Sequence, residues 1–594
     1  KKGDAVVEMN YKAIDAGVDA VHKVEVPDSW KNPTPDAAAK EITGRPEVVK
    51  MVKDLLEPIS KMDGDSLPVS AFIDNPDGQF ETGASAYEKR GTAVTVPTWD
   101  PETCIQCNNC AFVCSHATIR PFLLSEDEVK AAPSNIKLAD TKPKAGEYKF
   151  AMSVSPLDCM GCGECITVCP KASEGAIKMV PQAEEADEQP VFDYLVANVG
   201  KKDSGFADTT PKGSQFNQPL LEFSGSCAGC AETSYARLIT QLFGEQMYIS
   251  NATGCSSIWG NPAATAPYTV NKDTKKGPAW SNSLFEDNAE HGLGMYVGQK
   301  YLRDQAIESV KACAASDKAS AEFKAVVDKF LETKDDTKAN VEPTNALIAE
   351  LEKAAAAGCP DAKAALDKKD YLGKKSVWIF GGDGWAYDIG FGGLDHVLAS
   401  GENVNVMVFD TEMYSNTGGQ ASKASNIGEV CQFAAAGKEI GKKSLAEIAM
   451  SYGYVYVAQI ALGANPAQAV KAIAEAEAYP GPSLIIGYAP CELHGIAKGG
   501  MNHCQDEMKK AVKAGYWNLF SFNPANKADG KNPFTFTSEK GVSFDDYQAF
   551  LNNEARYTRL VKPFPERAER LFKESEEAAK ARYEHLQKLV ELYK

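Results

Sequence analysis

Two cysteine runs constrain the fold of this chain more than any other feature of its sequence. Both have the spacing C-x2-C-x2-C-x3-C, and Pro170 follows the second run. This spacing places three thiolates on a tight loop around one [4Fe–4S] cluster, while the fourth thiolate reaches across to a second cluster. The eight cysteines are Cys104, Cys107, Cys110 and Cys114 in the first run, and Cys159, Cys162, Cys165 and Cys169 in the second.

The crosswise rule assigns each cluster three cysteines from one run and one from the other. Disulfides require an oxidising compartment, and this spacing crowds four sulfurs too tightly for paired bridges. Zinc prefers two separated C-x2-C pairs around one tetrahedron. Ser115 replaces the proline usual after the fourth cysteine, but that proline is not a ligand. We therefore predict one [4Fe–4S] cluster on Cys104, Cys107, Cys110 and Cys169, and another on Cys159, Cys162, Cys165 and Cys114.

Length, charge and cysteine usage limit the class of protein. A chain of 594 residues is expected to hold several domains, and its net charge of −18 argues against a nucleic-acid partner. No apolar stretch is long enough to cross a bilayer and no signal peptide opens the chain, so we expect no membrane partner. Reduced cysteines indicate a reducing interior, and we expect a cytoplasmic location. Because Lys1 is not Met, we expect part of a longer polypeptide.

Pattern and composition divide the chain into regions. Residues from about 221 onward alternate short β-branched or aromatic runs with helical stretches, which favours a doubly wound, largely parallel α/β sheet that binds its ligand at the carboxyl ends of the strands. The expected regions are a connecting segment over 1–100, a ferredoxin-like 2[4Fe–4S] α+β domain over 101–180, a linker over 181–220, the α/β domain over 221–504 with a helical excursion over 305–370, and a C-terminal extension over 505–594.

Two glycine-rich segments each follow a predicted strand of the α/β domain. They are Gly381–Ala386 and Asp410–Gln420. Glycines let the backbone approach a phosphate group, and the next helix supplies amide donors. Oxygens from Asp383 and the neighbourhood of Thr411 suit Mg²⁺ bound to a diphosphate. Gly-Asp-Gly alone occurs in many turns, but the combination resembles the thiamine diphosphate motif.

The other cysteines and the histidines carry less information. Four cysteines lie in loops of the α/β domain, and their spacing alone leaves open a third cluster, a zinc site or ordinary buried thiols. These are Cys227, Cys230, Cys255 and Cys491. The remaining thiols and three histidines near cysteine segments are expected to be core, structural or surface residues: Cys313, Cys359, Cys431, Cys504, His116, His494 and His503.

The sequence resembles the pyruvate:ferredoxin oxidoreductases (pyruvate synthases) over nearly the whole chain. It corresponds to the C-terminal half of the single-chain form of that family, whose N-terminal half carries the pyruvate- and coenzyme A-binding regions. The segments that carry the resemblance are Cys104–Pro121, Gly225–Gly260, Pro278–Met295, Gly381–Gly390, Asp410–Ala424 and Tyr488–Ile496.

The resemblance assigns roles to residues of this sequence. It makes Cys227, Cys230, Cys255 and Cys491 the ligands of a third [4Fe–4S] cluster nearest to thiamine diphosphate. It makes Asp383, Thr411 and the carbonyl of Met413 the Mg²⁺ ligands. It places Asn416 over the thiazolium and substrate as the catalytic residue. Ala231 and His291 depart from the family pattern, but neither removes a ligand. The implied cofactor-binding residues are Glu232, Gly382, Asp383, Gly384, Trp385, Thr411, Ser415, Asn416 and Gly418.

The resemblance also implies an activity, cofactors and partners. The activity is the reversible oxidation of pyruvate with coenzyme A to acetyl-CoA and CO₂, in anaerobic metabolism. Electrons would pass from thiamine diphosphate through three [4Fe–4S] clusters to ferredoxin or flavodoxin. The N-terminal half would be a partner or part of the same polypeptide, and the complete enzyme a homodimer. Two alternatives are a related enzyme acting on another 2-oxo acid, such as 2-oxoglutarate, and an electron-relay subunit without thiamine chemistry.

Overall fold

The computed structural model describes residues 3–31, 42–141, 146–261, 265–497 and 499–594. The chain divides into two units, residues 1–50 and 51–594. The strands are β1 Thr95–Trp99, β2 Ile119–Leu124, β3 Ala139–Asp140, β4 Lys149–Val154, β5 Ile177–Pro181, β6 Met247–Asn251, β7 Ala279–Asn282, β8 Ser376–Gly382, β9 Asn405–Asp410, β10 Met413–Tyr414, β11 Gln420–Ala421, β12 Tyr456–Ile460, β13 Ser483–Tyr488, β14 Phe520–Phe522 and β15 Phe534–Phe536.

Helices account for most of the remaining regular structure. In the first unit, α1 has no buried residue, so the described residues of that unit leave its apolar side chains uncovered. The α-helices are α1 Asp4–Asp19, α2 Asp28–Lys31, α3 Pro46–Met51, α4 Glu57–Ser60, α5 Asn109–Val113, α6 Glu126–Ala131, α7 Glu164–Thr167, α8 Glu188–Asn198, α9 Pro211–Ser214, α10 Ala231–Phe243, α11 Cys255–Gly260, α12 Asn288–Ala315, α13 Ala321–Thr333, α14 Val341–Ala356, α15 Pro360–Leu366, α16 Lys369–Leu372, α17 Phe391–Ala399, α18 Leu445–Met450, α19 Pro466–Ala478, α20 Cys504–Lys513, α21 Tyr547–Leu551, α22 Ala555–Val561 and α23 Pro565–Leu592.

An eight-stranded sheet forms the centre of the second unit, in the order β15-β14-β12-β13-β9-β8-β6-β7. The six strands from β12 to β7 are parallel, and β14 and β15 continue the sheet in antiparallel pairing. Strands β9 and β13 are buried along their whole length, as expected for apolar runs covered on both faces. The chain extends from β6 to β7 on one side and to β8 and β9 on the other, so the predicted doubly wound α/β fold is confirmed.

Helix α12 packs against β6 and β8 through a glycine. A Cβ added at Gly292 would lie 2.4 Å from Cγ1 of Ile379, a β-branched side chain that is fully buried and cannot move aside. By contrast, nothing lies within 4 Å of a Cβ at Gly294, which is exposed on the same helix. The close approach of the helix to the sheet therefore depends on Gly292.

This packing gives a stability prediction. Gly292→Ala is expected to lower the free energy of unfolding by about 1–3 kcal/mol, because it overpacks the interface between helix and sheet. Gly294→Ala is expected to raise it by about 0.5–1 kcal/mol, because alanine loses less backbone entropy in a helix interior. Denaturant unfolding of both variants, measured anaerobically, checks the pair. Equal effects of the two substitutions would contradict the packing described for α12.

The ferredoxin-like domain contains two small antiparallel sheets, β1-β5 and β2-β4-β3. The short helices α5 and α7 lie against each other and carry one cysteine of each run, Cys110 and Cys165. Each helix begins directly after a residue in the left-handed region, Asn108 before α5 and Gly163 before α7. The predicted α+β domain is therefore present.

The ordered regions extend past three of the boundaries expected from sequence. Strand β1 lies before residue 101 and pairs with β5. Helix α8 lies in the expected linker, where Val191 and Leu195 pack against Leu124 and Ala151 of the ferredoxin-like domain. Strands β14 and β15 lie in the expected C-terminal extension, yet they belong to the large sheet. Helices α12 to α16 cover the range of the expected helical excursion, although α12 begins earlier, and they share a hydrophobic core of their own.

Candidate functional site

Four neighbouring strands deliver the candidate site residues to one edge of the large sheet. Strands β13, β9, β8 and β6 are adjacent and parallel, so the loops after their carboxyl ends lie side by side. A cavity of about 140 Å³ opens between the loops that follow β6, β8 and β9. Its walls are formed by Glu232, Thr253, Gly254, Cys255, Ser256, Phe285, Gly382, Asp383, Gly384, Trp385, Thr411, Met413, Tyr414, Ser415, Asn416 and Thr417.

The three expected Mg²⁺ ligands meet at this cavity. The Thr411 hydroxyl donates to Oδ1 of Asp383 at 2.9 Å and lies 3.0 Å from the carbonyl oxygen of Met413. An octahedral Mg²⁺ with bonds of 2.0–2.1 Å spaces neighbouring ligand oxygens about 3.0 Å apart. Both distances from the Thr411 hydroxyl, to Asp383 and to Met413, therefore match the spacing of neighbouring oxygen ligands in such an octahedron.

Asp383 is fully buried. Its Oδ2 accepts a hydrogen bond from the Ser422 hydroxyl at 2.6 Å, and its Oδ1 accepts one from the Thr411 amide at 3.1 Å. Burial raises the pKa of Asp383 well above its usual value, and the charge of Asp410 raises it further. A buried carboxyl that resists ionisation is a group that a bound cation stabilises in its charged form.

Gly384, directly after Asp383, is required because two loops approach each other closely at this position. A Cβ at Gly384 would lie 2.7 Å from the ring of Tyr414, which belongs to the segment after the next strand of the sheet. Glycine at this position therefore lets the two loops approach each other and leaves the backbone open to the cavity.

The other expected cofactor residues lie around the same cavity, apart from Gly418. Asn416 and Ser415 line its wall, whereas Gly418 lies outside the lining, in a turn where its amide donates to the Ser415 carbonyl at 3.2 Å. Glu232 is buried and accepts a hydrogen bond from Nε1 of Trp259 at 2.8 Å. Burial raises the pKa of Glu232 to about 7, although the Trp259 hydrogen bond lowers it.

The first expected cluster site is a small cavity lined by the four predicted cysteines. A space of about 20 Å³ is enclosed by residues that include Cys104, Cys107, Cys110 and Cys169. Burial raises the pKa of the Cys110 thiol well above its usual value, and the charges of Cys107, Cys104 and Cys169 raise it further. The crosswise partner Cys169 is thus next to the three cysteines of the first run.

The two cysteine loops have the same backbone geometry, although their residues differ. Two residues after the first cysteine, Gln106 has a φ of 59° and Gly161 a φ of 68°. The amide of each donates to the sulfur of that first cysteine, at 3.3 Å in the first run and 3.4 Å in the second. A non-glycine residue in the left-handed region is held there by its surroundings, and such residues concentrate at functional sites.

The second expected cluster site is also crosswise. Burial raises the pKa of the Cys165 thiol well above its usual value, and the charges of Cys162, Cys110, Cys114 and Cys159 raise it further. Cys114 comes from the first run, as predicted, and its sulfur accepts a hydrogen bond from the Thr118 amide at 3.4 Å. Donors to sulfur and burial are the features by which a protein tunes the potential of a cluster.

The four scattered cysteines lie together beside the cavity at the strand ends. Cys255 lines the cavity wall. Burial raises the pKa of Cys255, and the charges of Glu232, Cys230, Cys491 and Cys227 raise it further. Among the described residues, no three His, Cys, Asp or Glu side chains form a group that could hold a single metal ion. The four thiolates of a cubane each bind a different iron, so they surround a volume and do not converge on one ion.

One segment connects the second and third cysteine sets. Glu164, between two cysteines of the second run, is buried, and its Oε1 accepts from Nε2 of Gln505 at 3.4 Å. A Cβ at Gly229, between Cys227 and Cys230, would lie 2.9 Å from the carbonyl oxygen of Met501. Residues 501–505 therefore contact both cysteine loops, which places the two sets next to each other.

Sequence reasoning missed a group of buried ionic residues behind the cavity. Asp410 accepts a hydrogen bond from the Tyr387 hydroxyl at 2.7 Å and pairs with Lys442 at 2.8 Å. His494, expected to be a packing residue, is buried, and its Nε2 donates to the Thr411 carbonyl at 2.8 Å. Burial lowers the pKa of His494 to about 3, so the ring is neutral. These side chains come from distant segments, and no local pattern marks them.

Within the described residues, none of the helices has the length and apolar character needed to span a membrane.

Family comparisons agree with the two kinds of site. The family described as a 4Fe-4S dicluster domain matches residues 103–173. The family described as a thiamine pyrophosphate enzyme, C-terminal TPP binding domain, matches residues 345–486. A domain of unknown function matches residues 37–93. The chain therefore combines an iron–sulfur domain with a thiamine diphosphate-binding domain.

Curated relatives match the chain from end to end. Pyruvate-flavodoxin oxidoreductase of Klebsiella pneumoniae is 49% identical over 588 residues, which are 99% of this chain and 49% of the relative. Pyruvate:ferredoxin oxidoreductase of Moorella thermoacetica is 50% identical over 597 residues, which are 100% of this chain and 50% of the relative. The mitochondrial NADP(+) pyruvate dehydrogenase of Euglena gracilis is 43% identical and is covered over 32% of its length.

A solved structure of 2-oxoglutarate:ferredoxin oxidoreductase from Magnetococcus marinus aligns with 45% of this chain and 64% of its own. Its identity of 15% and TM-score of 0.27 are too low to add to the description of the fold. The chain spans about half the length of the curated bacterial relatives it matches. Over its whole length the chain is thus related by sequence to one half of the pyruvate:ferredoxin and pyruvate-flavodoxin oxidoreductases.

Proposed function

We propose that this chain supplies the thiamine diphosphate- and cluster-binding half of an enzyme that oxidises pyruvate with coenzyme A to acetyl-CoA and CO₂. One observation carries the proposal. The cavity that brings together the oxygens of Asp383, Thr411 and Met413 is also lined by Cys255 of the third cysteine set. The site of decarboxylation would then lie directly beside an electron acceptor, as an oxidative decarboxylase requires.

The chain's own residues would hold thiamine diphosphate through its diphosphate end. Asp383, the Thr411 hydroxyl and the Met413 carbonyl would bind Mg²⁺ between protein and diphosphate. Asn416, in the cavity wall, would orient the substrate, and Glu232 would complete the cofactor pocket. Thiamine diphosphate, when bound, supplies the electron sink that allows CO₂ to leave a 2-oxo acid. The protein would place this group beside Cys255.

Three [4Fe–4S] clusters would carry the electrons outward. The set of Cys227, Cys230, Cys255 and Cys491 is nearest to the cavity, and residues 501–505 connect it to the set of the second run. The site of Cys104, Cys107, Cys110 and Cys169 would be the outermost, because Cys110 and Cys165 join the two ferredoxin-like sites through α5 and α7. From there electrons would pass to ferredoxin or flavodoxin, the acceptors in the names of the relatives.

The complete enzyme would need the half that this chain does not cover. We propose that an N-terminal half, in the same polypeptide or a separate one, provides pyruvate and coenzyme A recognition. We also propose a cytoplasmic location, because free thiols persist in a reducing compartment, and a homodimeric complete enzyme. The choice of 2-oxo acid would be made largely by that other half.

The test is an anaerobic purification of the protein together with any polypeptide that accompanies it. We expect about twelve irons per chain, four for each cluster. We expect viologen reduction that requires both pyruvate and coenzyme A and that is faster than with 2-oxoglutarate. Removal of Mg²⁺ with a chelator should release thiamine diphosphate and stop the reaction, and added Mg²⁺ and cofactor should restore it.

Three outcomes would contradict parts of this proposal. A measured content of about eight irons per chain would show that the third cluster is absent. Preference for 2-oxoglutarate would change the substrate. A protein that contains iron but binds no thiamine diphosphate would be an electron-relay protein. The cavity beside Cys255 disfavours this alternative.

A further inference from the structure

Glu412 occupies an unusual position in the candidate metal site. It lies between Thr411 and Met413, whose oxygens meet that of Asp383. Its backbone has a φ of 62°, in the left-handed region that non-glycine residues adopt at a cost. Glu412 is also fully buried. A strained, buried residue between two expected ligands persists only where its surroundings hold it.

The surroundings of Glu412 satisfy both of its carboxylate oxygens. Oε1 accepts from Nζ of Lys442 at 3.0 Å and from Nδ2 of Asn426 at 2.8 Å. Oε2 pairs with the guanidinium of Arg556 at 2.9 Å and accepts from the hydroxyl of Tyr516. Four donors fix this side chain in one orientation, and a side chain fixed in this way fixes the backbone that carries it.

The backbone of Glu412 is bonded as well. Its amide donates to Oδ1 of Asp410 at 3.1 Å, and its carbonyl accepts from the Ser425 hydroxyl. The neighbouring Thr411 carbonyl accepts from His494 at 2.8 Å. These bonds set the direction in which the Thr411 hydroxyl and the Met413 carbonyl face Asp383.

Arg556 is the cation that joins this turn to the C-terminal part of the chain. It belongs to α22 and is fully buried. Besides Glu412, its guanidinium pairs with Glu554 at 2.6 Å and Glu429 at 3.3 Å. A buried guanidinium that bridges three carboxylates has a fixed geometry, because its planar donors point in set directions. Removing it would leave several buried charges unpaired.

We infer that Arg556 is a positioning residue for the metal–diphosphate site and that it acts through Glu412. The guanidinium holds the left-handed turn that directs the oxygens of Thr411 and Met413 toward Asp383. The inference rests on the proposed function in one respect, the identity of the bound group as Mg²⁺ with thiamine diphosphate. Arg556 itself lines no part of the cavity, so its effect would reach the metal only through the turn.

The experiment compares Arg556→Lys and Glu412→Gln with the parent, each in the complete enzyme. Apoenzyme is titrated with Mg²⁺ at saturating thiamine diphosphate, and binding is followed by the change in total tryptophan fluorescence, to which Trp385 in the cavity wall contributes. We expect the apparent Kd for Mg²⁺ to rise about 10–100-fold in both variants, the range for groups that support a metal ligand. The iron content is expected to stay at about twelve per chain.

Arg567→Lys is the matched control. Arg567 lies on α23, is one-third exposed and pairs with Glu439 at 3.0 Å, away from the turn at Glu412. Its replacement is expected to leave the Kd for Mg²⁺ within a factor of two. If Arg556→Lys fails to fold, Tyr516→Phe removes a single donor to Glu412 and keeps the ion pair, and a smaller rise in Kd is expected.

Two failures can be told apart. If the parent shows no Mg²⁺-dependent binding of thiamine diphosphate, the proposed function is wrong. If the parent binds both normally and Arg556→Lys and Glu412→Gln do so with an unchanged Kd, the positioning role is wrong, and an unchanged Kd in Glu412→Gln and Tyr516→Phe contradicts it where Arg556→Lys does not fold. A loss of thermal stability with an unchanged Kd would likewise show that the ionic group serves only the fold.

Discussion

Asp383→Asn is expected to abolish Mg²⁺-dependent binding of thiamine diphosphate while the iron content stays the same. Asp383 is the one carboxylate among the three residues whose oxygens meet at the cavity, so its replacement removes the negative charge that a divalent cation requires. We expect the affinity for Mg²⁺ to fall by more than about 100-fold, beyond the range for supporting groups. Pyruvate-dependent viologen reduction should fall by at least the same factor.

The fold should tolerate this change. Asparagine has the size of aspartate, and its carbonyl oxygen can still accept a hydrogen bond from Ser422 or Thr411. Because burial raises the pKa of Asp383, the metal-free protein already favours the neutral form that asparagine imitates. The midpoint of thermal unfolding without metal should therefore match that of the parent.

The measurement is Mg²⁺ titration of the apoenzyme followed by activity and iron analysis. Asp395→Asn serves as the control, because this half-buried carboxylate on α17 accepts from Tyr452 at 2.8 Å and lies outside the cavity. Mg²⁺ affinity of the Asp383 variant within tenfold of the parent would overturn its assignment as a metal ligand.

Cys255→Ser is expected to remove one cluster and to stop electron transfer from the cavity. The iron content should fall from about twelve to about eight per chain, since one cubane loses a ligand and the two ferredoxin-like sites keep theirs. Pyruvate-dependent viologen reduction should fall below detection, because the first acceptor is missing. Thiamine diphosphate binding should persist, since Asp383, Thr411 and Met413 are unchanged.

Iron analysis and electron paramagnetic resonance of the dithionite-reduced protein check this result. The spectrum should lose the signal of one cluster and keep those of the other two. Cys431→Ser is the control, because Cys431 is a buried thiol beside Glu429 and belongs to none of the three cysteine sets. An iron content of about twelve per chain in the Cys255 variant would contradict the assignment of Cys255 as a ligand of a third cluster.

Much of the site was predictable because its parts repeat or follow strands. The two cysteine runs have a fixed spacing, and the structure brings each run's fourth cysteine next to the other run's first three. The glycine-rich segments follow long apolar strands, and strand ends in a parallel sheet meet at one edge. The position of both segments directly after predicted strands was therefore enough to predict that Asp383 lies beside Thr411.

The grouping of the scattered cysteines and the domain boundaries were harder to predict from the sequence, for different reasons. The spacing of the cysteines could not predict that Cys491 lies near Cys227, because only the tertiary structure brings these distant segments together. Strands β14 and β15 have three residues each, too short for a periodic pattern, and they join the sheet by pairing with β12 and with each other. Helix α8 follows an acidic stretch that suggested a linker, yet its apolar side chains pack on the ferredoxin-like domain.

The ionic group behind the cavity had no sequence signature at all. Arg556 and Glu412 are far apart in sequence, and each belongs to a residue type that is usually at the surface. Only the fold shows that both are fully buried and in contact. Neither residue spacing nor hydrophobic periodicity predicts a buried ion pair of this kind.

The position of Cys255 has a consequence for survival in air. Cys255 forms part of the wall of the cavity at the strand ends, and Cys227 of the same set is exposed in this chain. In the proposed enzyme, the route that admits a small keto acid to this cavity would also admit dioxygen to a cluster on this cysteine set. Damage by air would begin at the centre of turnover and not at the outer surface, and protection would require a cover over the loops of these two cysteines.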